Sequence, residues 1–363
     1  MKQKKLIQAT ALVSCIALLT AACGGSDDAG GDQSSGGSDL SGEQFVFVNW
    51  GGSSMQAAEQ GWLEPFAEQT GVKWTTDSPT DNAKIKAMVE GGKVTWDVVD
   101  NDVAVGASNC GTLFEKRPAD IDMSDIDPQY VTDDCGVPIM IQAVGLMYNK
   151  ELFGDDPPTA ITDFMDTERF PGKRVLWNYP TSTAEPLLAA DGVATEDIYP
   201  IDWTRVENAM GSLGGDLVLQ DTLSQVGETI QTGDYAMSLF YFGRAAVLPE
   251  AARENIGIVW DTTYFAWDAA YMVKDSQNTE AASEFLRFLA TKDGQAGFSK
   301  HAAYGPATVG GLQESGIEVP EAFEPWMPDF NEDKIRERIN YDVDYWTENV
   351  DEALQEWTRI TSG

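Results

Sequence analysis

An α/β fold, with a mostly parallel sheet and helices on both of its faces, is the architecture this sequence predicts. The first observation behind it is the β-α-β-α-β alternation over residues 45–100. The second is a total of nine strand-like runs separated by helical stretches, more than one compact sheet holds. The third is composition: 42% hydrophobic and 10% aromatic residues in a chain of 363 suffice for genuine cores.

Taken in chain order, Met1 to Lys5 form a positive start, and Leu6 to Ala22 an apolar run with no charged residue, the layout of a secretory signal peptide. The run ends in Leu19-Thr20-Ala21-Ala22-Cys23, which resembles the lipobox of bacterial lipoproteins, so residues 1–22 are expected to be removed and Cys23 to carry lipid. Residues 24–43 hold 7 Gly and 5 Ser and read, with the lipidated Cys23, as a flexible linker over 23–43, of reach roughly 25 Å. Phe45 to Val48 is the first strand, and the following Asn49-Trp50-Gly51-Gly52-Ser53-Ser54 turn opens a helix bearing Met55, Ala58, Trp62 and Phe66 on one stripe and stopping at Gly71. Val72 to Thr75 is a strand, Asn82 to Glu90 a helix, and Trp96 to Asp100 a third strand. Further strands are expected at 144–148, 174–177, 216–219, 236–240, 256–260 and 269–273. Val343, Trp346, Val350, Leu354, Trp357 and Ile360 recur at steps of three and four, an amphipathic helix closing the chain.

Charge narrows the partners. With 59 acidic against 24 basic residues the net charge is −35, and the leader removes only lysines, so neither nucleic acid nor anionic lipid headgroups suit this surface. The lipid anchor is the only expected link to the membrane. His301 is the single histidine, which excludes multi-imidazole zinc sites and most histidine-dependent catalysis. Asp120 to Asp125 begins like a calcium loop but lacks the glycine at its sixth position and the glutamate at its twelfth, so no metal is expected, and no phosphate loop or nucleophile elbow points to a cofactor or to catalysis. Cys15 leaves with the signal and Cys23 takes lipid. Cys110 and Cys135 remain, an even pair in an oxidising exterior that is expected to form a disulfide worth about 3.5 kcal/mol.

Open α/β sheets bind ligands outside the carboxyl ends of their strands. The residues there are Asn49, Trp50 and Ser53; Asp77, Ser78 and Asp81; Asp100, Asn101 and Asp102; Tyr179, Ser182 and Glu185; and Tyr241, Phe242 and Arg244. Aromatics and carboxylates dominate, a set that suits an organic cation, since ring faces attract ammonium by about 0.5–2 kcal/mol each and carboxylates add directional charged hydrogen bonds.

The stretches Asn49-Trp50-Gly51-Gly52, Trp62-Leu63-Glu64-Pro65-Phe66, Trp96-Asp97-Val98-Val99-Asp100, Phe170-Pro171-Gly172-Lys173-Arg174, Gly233-Asp234-Tyr235-Ala236, Phe242-Gly243-Arg244-Ala245, Tyr304-Gly305-Pro306 and Trp346-Thr347-Glu348-Asn349-Val350 stand in an informative order. In them the mature chain, nearly end to end, resembles bacterial extracellular solute-binding proteins of the spermidine/putrescine type, which serve ABC importers. The resemblance implies a type II periplasmic-binding-protein-like fold, with lobe 1 over 44–145 plus 269–363, lobe 2 over 146–268, mixed sheets and a hinge of crossover strands. It implies a monomer that traps one small nitrogenous cation, putrescine or spermidine, and delivers it to a membrane permease driven by a separate ATPase. Carried over by position, the ligand set is Asp268 with Trp267 or Phe265 beside it, Glu185, Tyr241, Trp50, Tyr304 and Trp346. Asp77 and Asn101 join it from the strand-end reading.

Two departures qualify the cation. The second acid of polyamine binders, three residues before Glu185, is Ser182 here, and a small polar position in the Phe-Gly-x-Ala stretch is Arg244. A guanidinium in the cleft repels a polyamine by about 4 kcal/mol per close charge at an effective dielectric near 20. It would welcome a ligand carboxylate, which makes a zwitterionic amino-acid-like or opine-like solute the alternative, unless Arg244 pairs internally with Glu185 or Asp268. A reading of another class is a secreted hydrolase working with two carboxylates.

Overall fold

The computed structural model describes residues 38–362. The signal peptide, Cys23 and the linker before residue 38 lie outside the described residues. The end of the expected linker is not loose: Leu40 is buried, its amide donates to the Thr70 carbonyl, and Lys73 donates to Glu43.

Contrary to the expectation that nine strands exceed one compact sheet, the described residues form one mixed sheet of nine, β1 (Gln44–Val48), β2 (Lys73–Asp77), β3 (Val98–Asp102), β4 (Val137–Asn149), β5 (Arg174–Trp177), β6 (Leu217–Gln220), β7 (Met237–Tyr241), β8 (Ile256–Met272) and β9 (Glu337–Asn340). Their order is β2-β1-β3-β8-β4-β7-β5-β6, with β9 added to β8. The strands β2, β1 and β3 are parallel to one another, as are β7, β5 and β6. The long antiparallel β4 and β8 join these two triplets. Short parallel strands capped by helices at either end, and two long strands running between them, are what βαβ connections on each side produce.

Two runs expected as separate strands, 256–260 and 269–273, belong to the single 17-residue β8. Its register against β4 slips between Val144, opposite Tyr264, and Leu146, opposite Val259, so residues 260–263 bulge. That bulge, where Thr262 to Phe265 pair with β9, hid the continuity of the strand in the sequence. The first long helical stretch is also irregular: α-helix at Ser53–Ala58 and Glu64–Thr70 flanks a π-helical Glu59–Leu63. There Gly61 lies so close to Gly297 that a Cβ would stand 2.4 Å from the Gly297 carbonyl oxygen. The closing helix, Val343–Thr361, matches its expected span, burying Trp346, Ala353 and Trp357. Phe45, Phe47, Trp62, Phe66 and Phe285 interlock under one triplet, with ring centroids 4.9 to 6.2 Å apart. No helix among the described residues is long and apolar enough to cross a membrane. Cys110 and Cys135 form a disulfide as expected.

Candidate ligand-binding site

A narrow cleft, partly open to solvent, lies where the carboxyl ends of β1, β3, β5 and β7 meet the middle of β4 and β8. Five residues expected at the site line it: Trp50, Tyr241, Arg244, Asp268 and Tyr304. Each element presents its side chain for a local reason. Asp268 stands mid-strand on β8 opposite Asp102 of β3. Tyr241 ends β7, and Arg244 sits in the short helix Phe242–Ala245 that follows it. Trp50 follows β1 in a turn whose Gly52 has φ 63°. A Cβ at Gly52 would come within 2.7 Å of the Ser224 hydroxyl and 3.8 Å of the Arg244 guanidinium, so only glycine lets this turn approach the opposite wall.

One wall is aromatic. Trp177 and Tyr179 stack with centroids 4.6 Å apart, and Trp50 and Tyr241 each meet Trp177 edge-on at 6.1 and 6.3 Å. The acidic pole is Asp268, which accepts a hydrogen bond from Trp50 Nε1 at 3.1 Å. Burial, reinforced by the Asp102 charge, pushes its carboxyl above the ordinary aspartate range. Asp102 caps the helix Val103–Ser108 and takes a 2.6 Å bond from the Tyr341 hydroxyl. The basic pole is Arg244. It is only 7% exposed, no carboxylate among the described residues lies within 4.0 Å of it, and its Nη1 donates to the Gly51 carbonyl at 3.3 Å. The internal pairing of Arg244 with Glu185 or Asp268 does not form. Burial lifts the Tyr304 phenol to about 12, so it stays protonated at neutral pH.

The other expected site residues lie elsewhere. Glu185 is fully buried behind the cleft, where its Oε1 accepts from Tyr199 (2.9 Å), Tyr264 (3.2 Å) and Trp346 Nε1 (2.9 Å), so Glu185 and Trp346 bind each other. Trp267 and Phe265 alternate with Asp268 along β8 and face the opposite side of the sheet. There Trp267 Nε1 donates to the Tyr130 carbonyl, Arg338 lies 4.0 Å over the Phe265 ring, and both aromatics line a separate hollow with Tyr341 and Asp329. Asp77 is engaged by Lys84 Nζ and Trp96 Nε1, each at 2.9 Å, and Asn101 donates to Asn82 Oδ1 at 2.8 Å. Tyr179, Ser182 and Asp102, read from the strand-end rule, do line the cleft. Ser182 has φ 62°, a strained conformation for a residue with a Cβ. Trp177 and Gln142 are additional. The strand-end position of Trp177 was a usable signal, whereas Gln142 sits in a part of β4 that the sequence pattern did not mark as strand.

A recess at the strand ends, lined by two acids, by a guanidinium with no carboxylate partner among the described residues and by an aromatic wall, is built to hold a small polar solute. The profile of the bacterial extracellular solute-binding proteins matches residues 61–323, and the chain belongs to that family. It is a substrate-binding protein of an ABC importer and not an enzyme. The chain is 29% identical over 327 residues to the gamma-aminobutyric acid-binding protein of Pseudomonas aeruginosa strain PAO1, covering 86% of this chain and 89% of that protein. Among solved structures, it is similar to the Atu4243-GABA receptor, with TM-score 0.75 and 28% identity, covering 87% of this chain and 97% of that one. It is also similar to AgtB of A. tumefaciens R10 in complex with agropinic acid, with TM-score 0.78 and 25% identity, covering 88% and 99%.

Proposed function

We propose that this protein captures a small zwitterion, an ω-amino acid such as γ-aminobutyrate or an opine-like relative of it, and delivers it to a permease. The single observation that carries this reading is Arg244: a buried guanidinium with no carboxylate partner among the described residues, in the same cleft as Asp268. A ligand carboxylate supplies the missing counter-charge as a bidentate pair, and the ligand ammonium lies against Asp268 and the Trp50, Trp177, Tyr179 and Tyr241 rings. A polyamine, the cation expected first from the sequence, offers Arg244 only another positive charge. The relatives named for γ-aminobutyrate and agropinic acid support the zwitterion.

In this reading the triplets β2-β1-β3 and β7-β5-β6 belong to two lobes, 44–145 plus 269–363 and 146–268, which close over the solute about β4 and β8. The protein works as a monomer, held at the outer face of the cytoplasmic membrane by lipid on Cys23. A melting-temperature panel tests the ligand class. Millimolar γ-aminobutyrate should raise the midpoint by several degrees through mass action, while putrescine should not. A shift with putrescine alone would discard the proposal.

A further inference from the structure

Asp100 lies next to the cleft, on β3, and strand geometry sets it against Asp268. The register places Asp102 opposite Asp268 and Asp100 opposite Ala270, so Asp100 and Asp268 are diagonal neighbours on one face of an antiparallel pair. This diagonal pairing brings the two carboxyl groups together, and each acts on the other's proton affinity. Asp100 is entirely shielded from solvent, and neither of its carboxyl oxygens receives an N–H or O–H from any other described group. An ionised carboxylate can only accept hydrogen bonds, so two of them in contact hold together only when one carries a proton. Bare, unbonded and buried, a second negative charge would be very costly here.

The donors decide which oxygen keeps the charge. Asp268 accepts from Trp50 Nε1, and the Gln142 side chain also supports its ionised form. Asp100 has no such donor. The charged and titratable groups around the pair are Asp102 from β3, itself held by Tyr341, Arg244 from the helix after β7, Tyr304, Tyr241 and Tyr179. Of these only Arg244 favours an ionised Asp100, while burial and the Asp268 charge oppose it more strongly. We propose that Asp100 is a positioning residue that keeps its proton at neutral pH and through it donates a hydrogen bond to the ionised Asp268, so that the pair presents a single, oriented negative charge to an ammonium in the cleft. This rests on the reading that the cleft takes an amine-bearing solute. Its consequence is a proton-linked affinity: a second proton on the pair at acid pH removes the counter-charge and weakens binding by up to about tenfold per pH unit.

Two readouts test it, with Asp100→Asn, whose amide supplies the same donor, and Asp100→Ala, which supplies none. Infrared difference spectra of ligand-free protein at pH 8 should show the carbonyl stretch of a protonated carboxyl in the wild type and its loss in Asp100→Asn. An unchanged band, or none in the wild type, overturns the assignment. Titration with γ-aminobutyrate should find Asp100→Asn within about threefold of the wild type and Asp100→Ala weaker by tenfold or more. Equal affinities for the two variants would overturn the positioning role. If the wild type fails to bind γ-aminobutyrate, the ligand reading fails by itself, and the infrared result still decides the proton.

Discussion

Replacing Arg244 by alanine separates the two ligand classes, because the wild-type side chain is buried at 7% exposure, donates to the Gly51 carbonyl and has no carboxylate partner among the described residues. For a zwitterion, the substitution deletes a bidentate charged partner and leaves the ligand carboxylate facing an aromatic recess, a loss of about 2–4 kcal/mol, or roughly 30- to 1000-fold in Kd. Arg244→Lys keeps the charge but loses the fork, and should recover only part of that loss. For a polyamine, the same deletion removes a repulsive charge and should leave affinity unchanged or improve it. Asp268→Asn is the companion variant: it removes the ammonium partner and should weaken either class more than tenfold. The assay is isothermal titration of the four proteins at constant pH and salt. Full γ-aminobutyrate affinity in Arg244→Ala would refute the carboxylate role of Arg244, and an unaltered Asp268→Asn would refute the site itself.

Burial holds the Glu185 carboxyl up at about 7 against three donated hydrogen bonds, so the folded protein favours its protonated form. Because the folded-state value is raised, that contribution is complete below about pH 4.5 and is lost as pH rises through 7, on the order of 3 kcal/mol in all. Glu185→Gln should flatten this part of the urea-stability profile, whereas Glu185→Ala, which orphans the Tyr199, Tyr264 and Trp346 donors, should destabilise by about 3 kcal/mol or more at every pH; parallel profiles for the wild type and Glu185→Gln would contradict the raised value. Replacing Cys110 and Cys135 by serine opens a cross-link spanning 25 positions and should lower stability by about 3.5 kcal/mol in denaturant titrations, with no loss meaning that the bond constrains the unfolded chain little. If β4 and β8 act as a hinge, small-angle scattering should show a smaller radius of gyration at saturating γ-aminobutyrate, and an unchanged radius despite binding would count against closure.

How much could be read from the sequence differs by element. The β-α-β-α-β start, the closing amphipathic helix and the Asp81-capped helix Asn82–Glu90 obey local rules of periodicity and capping, and they stand where those rules put them. The crossing strands were only half visible, since β4 and β8 are buried along most of their length and show no alternation. The bulge at 260–263 broke one strand into two apparent runs. Trp50, Tyr241, Arg244, Asp268 and Tyr304 line one cleft: strand-end position pointed to Trp50, Tyr241 and Arg244, and the resemblance to Asp268 and Tyr304. Glu185 and Trp346 were displaced by a property no linear pattern holds: Tyr199 and Tyr264, far apart in the chain, satisfy Glu185 internally and draw it out of the cleft. Trp267 and Phe265, one and three residues before Asp268, were displaced by strand parity alone. Asp100 stood on the strand-end list without a role, which only the register of β3 against β8 supplies.

The most direct measurement of the central claim is a side-by-side isothermal titration of the wild-type protein with γ-aminobutyrate and putrescine. The two share an ammonium on a short methylene chain and differ in whether the far end is a carboxylate or a second ammonium, so the comparison isolates the counter-charge offered to Arg244. The account predicts micromolar or tighter binding of γ-aminobutyrate and putrescine weaker by a hundredfold or more, about 2.7 kcal/mol. Putrescine bound as tightly as γ-aminobutyrate, or more tightly, would contradict it.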